Sequence, residues 1–315
     1  MNINPRKAAV IGCGNVGASI AFRFLQQGLF TRLVLLDANR EKAEGEAMDL
    51  RDGLPYAAAM DITAGDYDDL TDCALVVITA GANQKPGETR LDLIGKNTEI
   101  LRSILREITA RSFGGILLVV SNPVDVLTYA AWRLSGYPRE RVMGSGTVLD
   151  TGRLKQLLGA ELEVDSRNIH AFIIGEHGDS ELAVWSEANV SGLDLEDFCR
   201  VRGQTLGAEK RERLYREVRD SAYEIIRRKG ATYYGIAMAV GRIAAAIVKD
   251  ERAVLPVSAV LDGQYGMNGL ALSLPSIVGR KGLREILEMP LREDERAALA
   301  ASAEQMREAI ETLKL

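Results

Sequence analysis

Cysteine and histidine are scarce in this sequence. Its 315 residues hold three cysteines, Cys13, Cys73 and Cys199, and two histidines, His170 and His177. No pair of cysteines stands in a CxxC spacing, so neither a zinc ribbon nor a dithiol redox motif is present, and no metal centre is expected. Three scattered thiols suit a reducing compartment. Basic excess is also lacking. The 39 basic residues are outnumbered by 44 acidic ones, giving a net charge of −5, which argues against a nucleic-acid surface. The longest apolar runs, such as 114–120, are too short to span a bilayer, and residues 1–7 carry no apolar leader core. A cytoplasmic protein with neither membrane nor nucleic-acid partner is expected. Any imidazole acid or base must be His170 or His177.

With 47% hydrophobic and 26% charged residues, the chain can bury one large core or two medium ones. The first half alternates short apolar runs (7–11, 33–36, 75–79, 116–121) with helical patterns (15–27, 41–50, 91–110). Strand-type runs without polar alternation point to parallel strands covered on both faces. Their alternation with helices predicts an α/β, doubly wound sheet. The pattern changes near residue 145. Helices are expected at 147–158, 202–228, 232–248 and 292–314, a strand at 169–174, and an antiparallel pair at 253–261 and 270–274 around a turn-rich segment. The helix at 232–248 is apolar on nearly every side and is expected to be buried. These changes predict two closely packed domains, 1–144 and 145–315.

The first chemical signature is Gly12-Cys13-Gly14-Asn15-Val16-Gly17. Alone, GxGxxG is a weak signal; following a strand and opening a helix, it marks a dinucleotide-binding Rossmann turn. Gly12 permits the tight turn, Gly14 lets backbone approach a diphosphate, and Gly17 allows close helix–sheet packing. The helix N-terminus presents unpaired N–H groups and a positive dipole end to the anion. Asp37, 20 residues after Gly17 at the end of the second run, can accept hydrogen bonds from ribose hydroxyls. It would repel a 2′-phosphate, so NAD is favoured over NADP, although the nearby Arg40 weakens that preference. The bland alternative is that Asp37 only caps the next helix.

Further polar segments follow the apolar runs. Small residues after the third, including Gly81 and Ala82, leave room for a cofactor at the strand ends. Residues 83–90 are polar, contain Pro86 and Gly87, and precede a long helix, as a mobile lid would. Asn122 precedes Pro123 and is expected to cap a helix while facing the same crevice. Asp150 and Arg153 share one helix face. His177 lies between Glu176 and Gly178 just beyond the 169–174 run, well placed for chemistry.

Taken together, GCGNVG, AGANQKPGETR, SNPVD, LDTGR, GEHGD and KGATYYG occur here in the order in which they occur in the lactate/malate dehydrogenase family, and the chain resembles its L-lactate dehydrogenase branch over essentially its full length. The resemblance implies an NAD-binding first domain and an α+β substrate domain. It implies that His177 exchanges a proton with the substrate oxygen, that Asp150 orients it, that Arg153 grips a carboxylate through two parallel hydrogen bonds, and that Arg90 swings in with the lid to polarise the carbonyl. Asn122 and Thr232 would complete the substrate pocket. Val16, Lys42, Tyr67, Gly81, Ala82, Ser103, Asn122 and Ser145 match positions that line the cofactor in relatives.

Malate dehydrogenases of this family place an arginine where Gln84 stands. Burying the second carboxylate of oxaloacetate without a partner would cost several kcal/mol, so Gln84 favours pyruvate and L-lactate. Malate dehydrogenase, or a catalytically idle NAD-binding protein, are the alternatives; the second would need a broken set of catalytic residues. The resemblance further implies a homotetramer, with a fructose 1,6-bisphosphate site using Lys155 and His170. Lysine where relatives usually carry arginine keeps the charge but loses the planar fork, which weakens the case for strong activation.

Overall fold

The computed structural model describes residues 3–82 and 90–313, apart from the side chains of Arg90 and Leu91. The expectations placed on Gln84, on the Arg90 side chain and on the 83–89 lid segment lie outside the described residues.

The first half begins with β1 (Asn4–Ile11), whose last five residues are buried, and turns through the glycines into α1 (Asn15–Gln27). In α1 the buried Gly17, Ile20, Ala21, Phe24 and Leu25 recur at helical spacing, and Gly28 in the left-handed region ends the helix. There follow β2 (Arg32–Leu36), α2 (Arg40–Asp52), β3 (Asp61–Ala64), β4 (Cys73–Ile78), α3 (Arg90–Thr109), β5 (Ile116–Val119), α4 (Val124–Ser135) and β6 (Val142–Gly144). The order β3-β2-β1-β4-β5-β6 is parallel throughout, with Val10 opposite both Leu35 and Val77. The chain leaves β1 toward β2 and β3 and later returns to the other side of β1 with β4. The crevice for a ligand therefore opens at the carboxyl ends of β1 and β4.

The second half contains α5 (Val148–Leu162), the short strands β7 (Ile169–His170), β8 (Ile173–Ile174), β9 (Leu182–Ala183), β10 (Asn189–Val190) and β11 (Leu193–Asp194), then α6 (Leu195–Val201), α7 (Ala208–Lys229), α8 (Tyr234–Val248), β12 (Ala253–Asp262), β13 (Asn268–Gly279), β14 (Gly282–Ile286) and α9 (Glu293–Glu311). The antiparallel β12–β13–β14 unit continues the first sheet, because Ser258 pairs with Gly144. One face of the sheet packs on Ile20 and Phe24 of α1 and Val240 and Ile243 of α8. The other packs on Leu105 and Ile108 of α3 and Leu127 and Ala131 of α4. Each of the larger side chains contributes roughly 1.5–3 kcal/mol on burial. The second half's α8 thus completes the core of the first half, and Gln27 Nε2 donates to the Gly241 carbonyl at 3.1 Å.

Several elements differ from expectation. A short strand, β3, intervenes, so the runs beginning at Leu75 and Ile116 are the fourth and fifth strands. The expected strand at 169–174 is two strands in different sheets. The expected helix at 202–228 begins only at Ala208, because Gly203 takes a positive φ and Gly207 provides the extended N-cap. On α8, Tyr234 and Met238 are exposed, so its apolar surface is not wholly covered. Asn122 is not a helix cap: Pro123 occupies the N-cap position and α4 starts at Val124. Among the described residues, no helix is long and apolar enough to cross a membrane.

Candidate active site

The glycine turn is built by steric exclusion. Gly12 has φ +101°, and a Cβ there would sit 2.6 Å from the Ala80 nitrogen. A Cβ on Gly17 would sit 1.8 Å from the Gly12 carbonyl oxygen. Gly14 behaves differently. It is the exposed N-cap of α1, with no side-chain cap bond and nothing within 4 Å of an added Cβ. Among the described residues nothing demands a glycine here; an uncapped helix start with an open approach fits a diphosphate. Asp37 is fixed beside it, accepting from the Cys13 N–H at 2.7 Å and the Asn39 N–H at 2.9 Å. Asn39, not Asp37, caps α2. Cys13 is buried between these groups, and burial, with Asp37 and Glu46 adding to it, pushes its thiol up to about 12, so it is no nucleophile.

A second layer of the crevice is tied together by Asn97, which is 3% exposed on α3. Its Oδ1 accepts from the Ala82 N–H at 2.7 Å and its Nδ2 donates to the Asn122 carbonyl at 2.8 Å. One side chain therefore joins the ends of β4 and β5. Sequence reasoning passed it over, yet a signal existed: Asn97 sits between Ile94 and Leu101 on the buried stripe of α3, where a polar residue needs a reason. Val16 is half-buried at the start of α1, and Ser145 is buried, its N–H donating to the Val119 carbonyl. Lys42 is exposed on α2. Ser103 is exposed and its hydroxyl donates to Ile100 of its own helix, while Tyr67 lies under the Arg111 guanidinium. Among the described residues, neither of these two hydroxyls is hydrogen-bonded to the glycine turn.

The charged centre is assembled from α4, α5 and the segment after β8. Asp150, 2% exposed on α5, accepts from His177 Nδ1 at 2.5 Å and from Arg153 Nη1 at 2.7 Å. With Nδ1 engaged, the free ring nitrogen of His177 is Nε2. Among the described residues, Nε and Nη2 of Arg153 make no hydrogen bond, which leaves them for a ligand. A second aspartate holds the histidine from behind: Asp125, 1% exposed, accepts the His177 backbone N–H at 2.7 Å and the hydroxyls of Ser258 at 2.6 Å and Ser273 at 3.2 Å. This backbone clamp was not foreseen, because three of its members lie more than 50 residues from Asp125.

Electrostatics follow from these contacts. Burial acts to pull the His177 imidazolium down, but the Asp150 charge and hydrogen bond, then Asp125 and Glu181, outweigh it and hold the group up at about 9. Burial likewise works against the Asp150 carboxylate, yet His177 and Arg153 keep it below its ordinary range. Asp125 is pushed up to about 6, chiefly by burial, against the pull of Ser258 and His177. A cleft of about 760 Å³ between α5 and α7 includes Arg153, Gln156, Arg216 and Ile225 in its wall. Thr232 is half-buried in the turn before α8. Lys155 is half-buried on α5, and burial lowers its ammonium below the usual range. His170 is exposed on β7, paired in register with Asn189.

Comparisons agree with this architecture. Residues 6–144 match the NAD binding domain of lactate/malate dehydrogenase, and residues 147–314 match its alpha/beta C-terminal domain. The L-lactate dehydrogenase of Acetivibrio thermocellus is 48% identical over 317 residues, covering 100% of both chains. That of Priestia megaterium is 52% identical over 301 residues, covering 95% of this chain and 93% of the relative. The crystal structure of the minor L-lactate dehydrogenase from Enterococcus mundtii in its ligands-bound form superposes with a TM-score of 0.96 at 45% identity, covering 98% of this chain and 99% of that one. Because both domains match in order and the likeness runs the whole length, this chain belongs to the lactate/malate dehydrogenase family.

Proposed function

We propose that the chain catalyses the reversible reduction of pyruvate to L-lactate with NADH. The observation that carries this reading is the pairing of a buried aspartate with both a histidine and an arginine, Asp150 with His177 and Arg153. NADH supplies the hydride. The turn at Gly12, Gly14 and Gly17 holds the diphosphate and Asp37 the ribose hydroxyls. Val16, Lys42, Tyr67, Gly81, Ala82, Ser103, Asn122 and Ser145 line the remainder of the cofactor. Arg153 binds the substrate carboxylate through Nε and Nη2, which fixes the keto carbon in one orientation. His177 donates its Nε2 proton to the ketone oxygen, and Asp150 stabilises the imidazolium before that transfer. Arg90 polarises the carbonyl, Asn122 and Thr232 bound the pocket, and Gln84 supplies no cation for a second carboxylate.

On this reading residues 1–144 serve the cofactor and 145–315 the substrate. We further propose a cytoplasmic homotetramer, with Lys155 and His170 as contacts for fructose 1,6-bisphosphate. The half-buried Lys155 ammonium and the exposed His170 ring support an anion site. Steady-state NADH oxidation with pyruvate and with oxaloacetate, and oligomer size by gel filtration, each with and without millimolar fructose 1,6-bisphosphate, test the activity, the substrate preference, the assembly and the regulatory site. Pyruvate is expected to be preferred by about a hundredfold or more in kcat/KM. Absence of turnover with pyruvate overturns the activity, and unchanged kinetics and oligomer size with the bisphosphate overturn the regulatory site.

A further inference from the structure

Glu181 stands four residues beyond His177, at the entry to β9, and has no part in the chemistry above. It is 4% exposed, and its Oε1 is fully buried with no hydrogen-bond partner among the described residues. An oxygen of Glu181, an oxygen of Asp150 and a ring nitrogen of His177 all lie within 4.8 Å of one another. Two carboxylates thus share one space with a single imidazole. Like charges at that separation disfavour double ionisation, and an unpaired buried carboxylate is costly.

The groups facing Glu181 come from three elements. Asp150 and Arg153 belong to α5, His177 to its own segment, and Arg219 to α7. From α7, Tyr215 also donates its hydroxyl to the Glu181 backbone carbonyl. Arg219 is already paired with Asp220. Asp125 of α4 faces His177 rather than Glu181, and its charge is met by two serine hydroxyls and the His177 N–H. Among the described side chains, the pocket that a substrate enters counts Asp150 as negative and Arg153 and protonated His177 as positive. Ionisation of Glu181 would remove one unit of that positive charge and weaken the attraction for a substrate carboxylate.

We propose that Glu181 is a positioning residue, held as the neutral acid, which keeps the pocket positive enough to take a substrate carboxylate, and whose deprotonation opposes binding of that anion. It touches no substrate and acts through His177 and the balance around Asp150. Burial and then Asp150 push its carboxyl up to about 9, against the opposing pull of His177, Arg153 and Arg219. His177 is held in the same range. The two protons belong to a coupled pair, and productive binding of pyruvate requires both.

This inference rests on the pyruvate reading and is tested beside it. The pH dependence of kcat/KM for pyruvate at saturating NADH is measured from neutrality into the alkaline range for the unaltered protein and for Glu181→Gln. Above both ionisations the unaltered protein is expected to lose about a hundredfold per pH unit, and E181Q about tenfold per unit, with values at pH 7 within about twofold of each other. Oxamate binding to the NADH complex, followed by nucleotide fluorescence in the unaltered protein, should weaken with the same two-proton dependence, which keeps the idea testable if E181Q fails to fold. A one-proton limb in the unaltered protein, or a two-proton limb retained in E181Q, overturns the role of Glu181 while leaving pyruvate reduction standing. No pyruvate turnover at pH 7 overturns the reading beneath it instead.

Discussion

In the first half of the molecule, the groups placed to meet a ligand are backbone N–H groups at an uncapped helix start, with the Asp37 carboxyl group beside them. In the second half they are charged side chains packed against one another, Asp150, His177 and Arg153, with the buried Glu181 behind them. The first arrangement is short in sequence and steric in origin, since Gly12 and Gly17 are there because nothing larger fits. The second is spread over α4, α5 and the loop after β8, and its properties come from mutual charge. Shape should therefore govern cofactor affinity, and protonation should govern turnover, with little exchange between them.

The largest expected effect is on the charged side. Asp150→Asn should lower kcat/KM for pyruvate by about 10²–10⁴ while leaving the NADH dissociation constant within about twofold. The pH profile gives the sign. Pyruvate reduction needs protonated His177, so in the unaltered protein it should hold steady below about 9 and fall above. Lactate oxidation needs the neutral ring and should rise toward the same pH. Without the Asp150 carboxylate, burial acts on the imidazolium with less opposition, so the fall should begin at lower pH. Equal damage to NADH binding would erase the contrast between the two halves.

Gln84→Arg comes next, and sharpens the charge side. Adding a cation should raise the oxaloacetate-to-pyruvate ratio of kcat/KM by about a hundredfold; an unmoved ratio would mean that selectivity lies elsewhere in the pocket. On the steric side, Gly17→Ala forces a methyl onto the Gly12 carbonyl. Overpacking of that kind costs about 1–3 kcal/mol, so fluorescence titration should show NADH binding weakened by about ten- to a hundredfold. The alkaline limb of the activity should stay where it was. Smallest is Asn97→Ala, which unpairs the Ala82 N–H and the Asn122 carbonyl at once. A loss of about 1–3 kcal/mol should appear in calorimetry as a lower Tm, by about 2–4 °C for each kcal/mol. Because Asn97 bridges strand ends on the cofactor side, a change confined to pyruvate KM would show that it serves the substrate instead.

The parallel sheet was readable because buried strands leave unbroken apolar runs, and α1 because its apolar residues fall at helical spacing. β3 was missed because its four residues, Asp61 to Ala64, carry only one fully buried side chain. The split of 202–228 was missed because an apolar stripe through Leu206 continues the phase of α7 across a turn that Gly203 and Gly207 impose. In the site, Asp150 and Arg153 were legible as a pair three apart on one helix. Asp125 and Asn97 were not, since each owes its importance to partners distant in sequence.

Taken alone, the sequence determined the alternation of strands and helices, the glycine turn with Asp37, and the shortlist of two histidines, because each is a matter of local spacing or of counting. Only the tertiary structure decided that His177 is the ring that meets Asp150, that Asp125 grips its backbone, and that Glu181 is left buried and unpaired beside them. Those outcomes depend on distances of a few ångströms between segments brought together by the sheet, and on the removal of water from between them, which no spacing along the chain records.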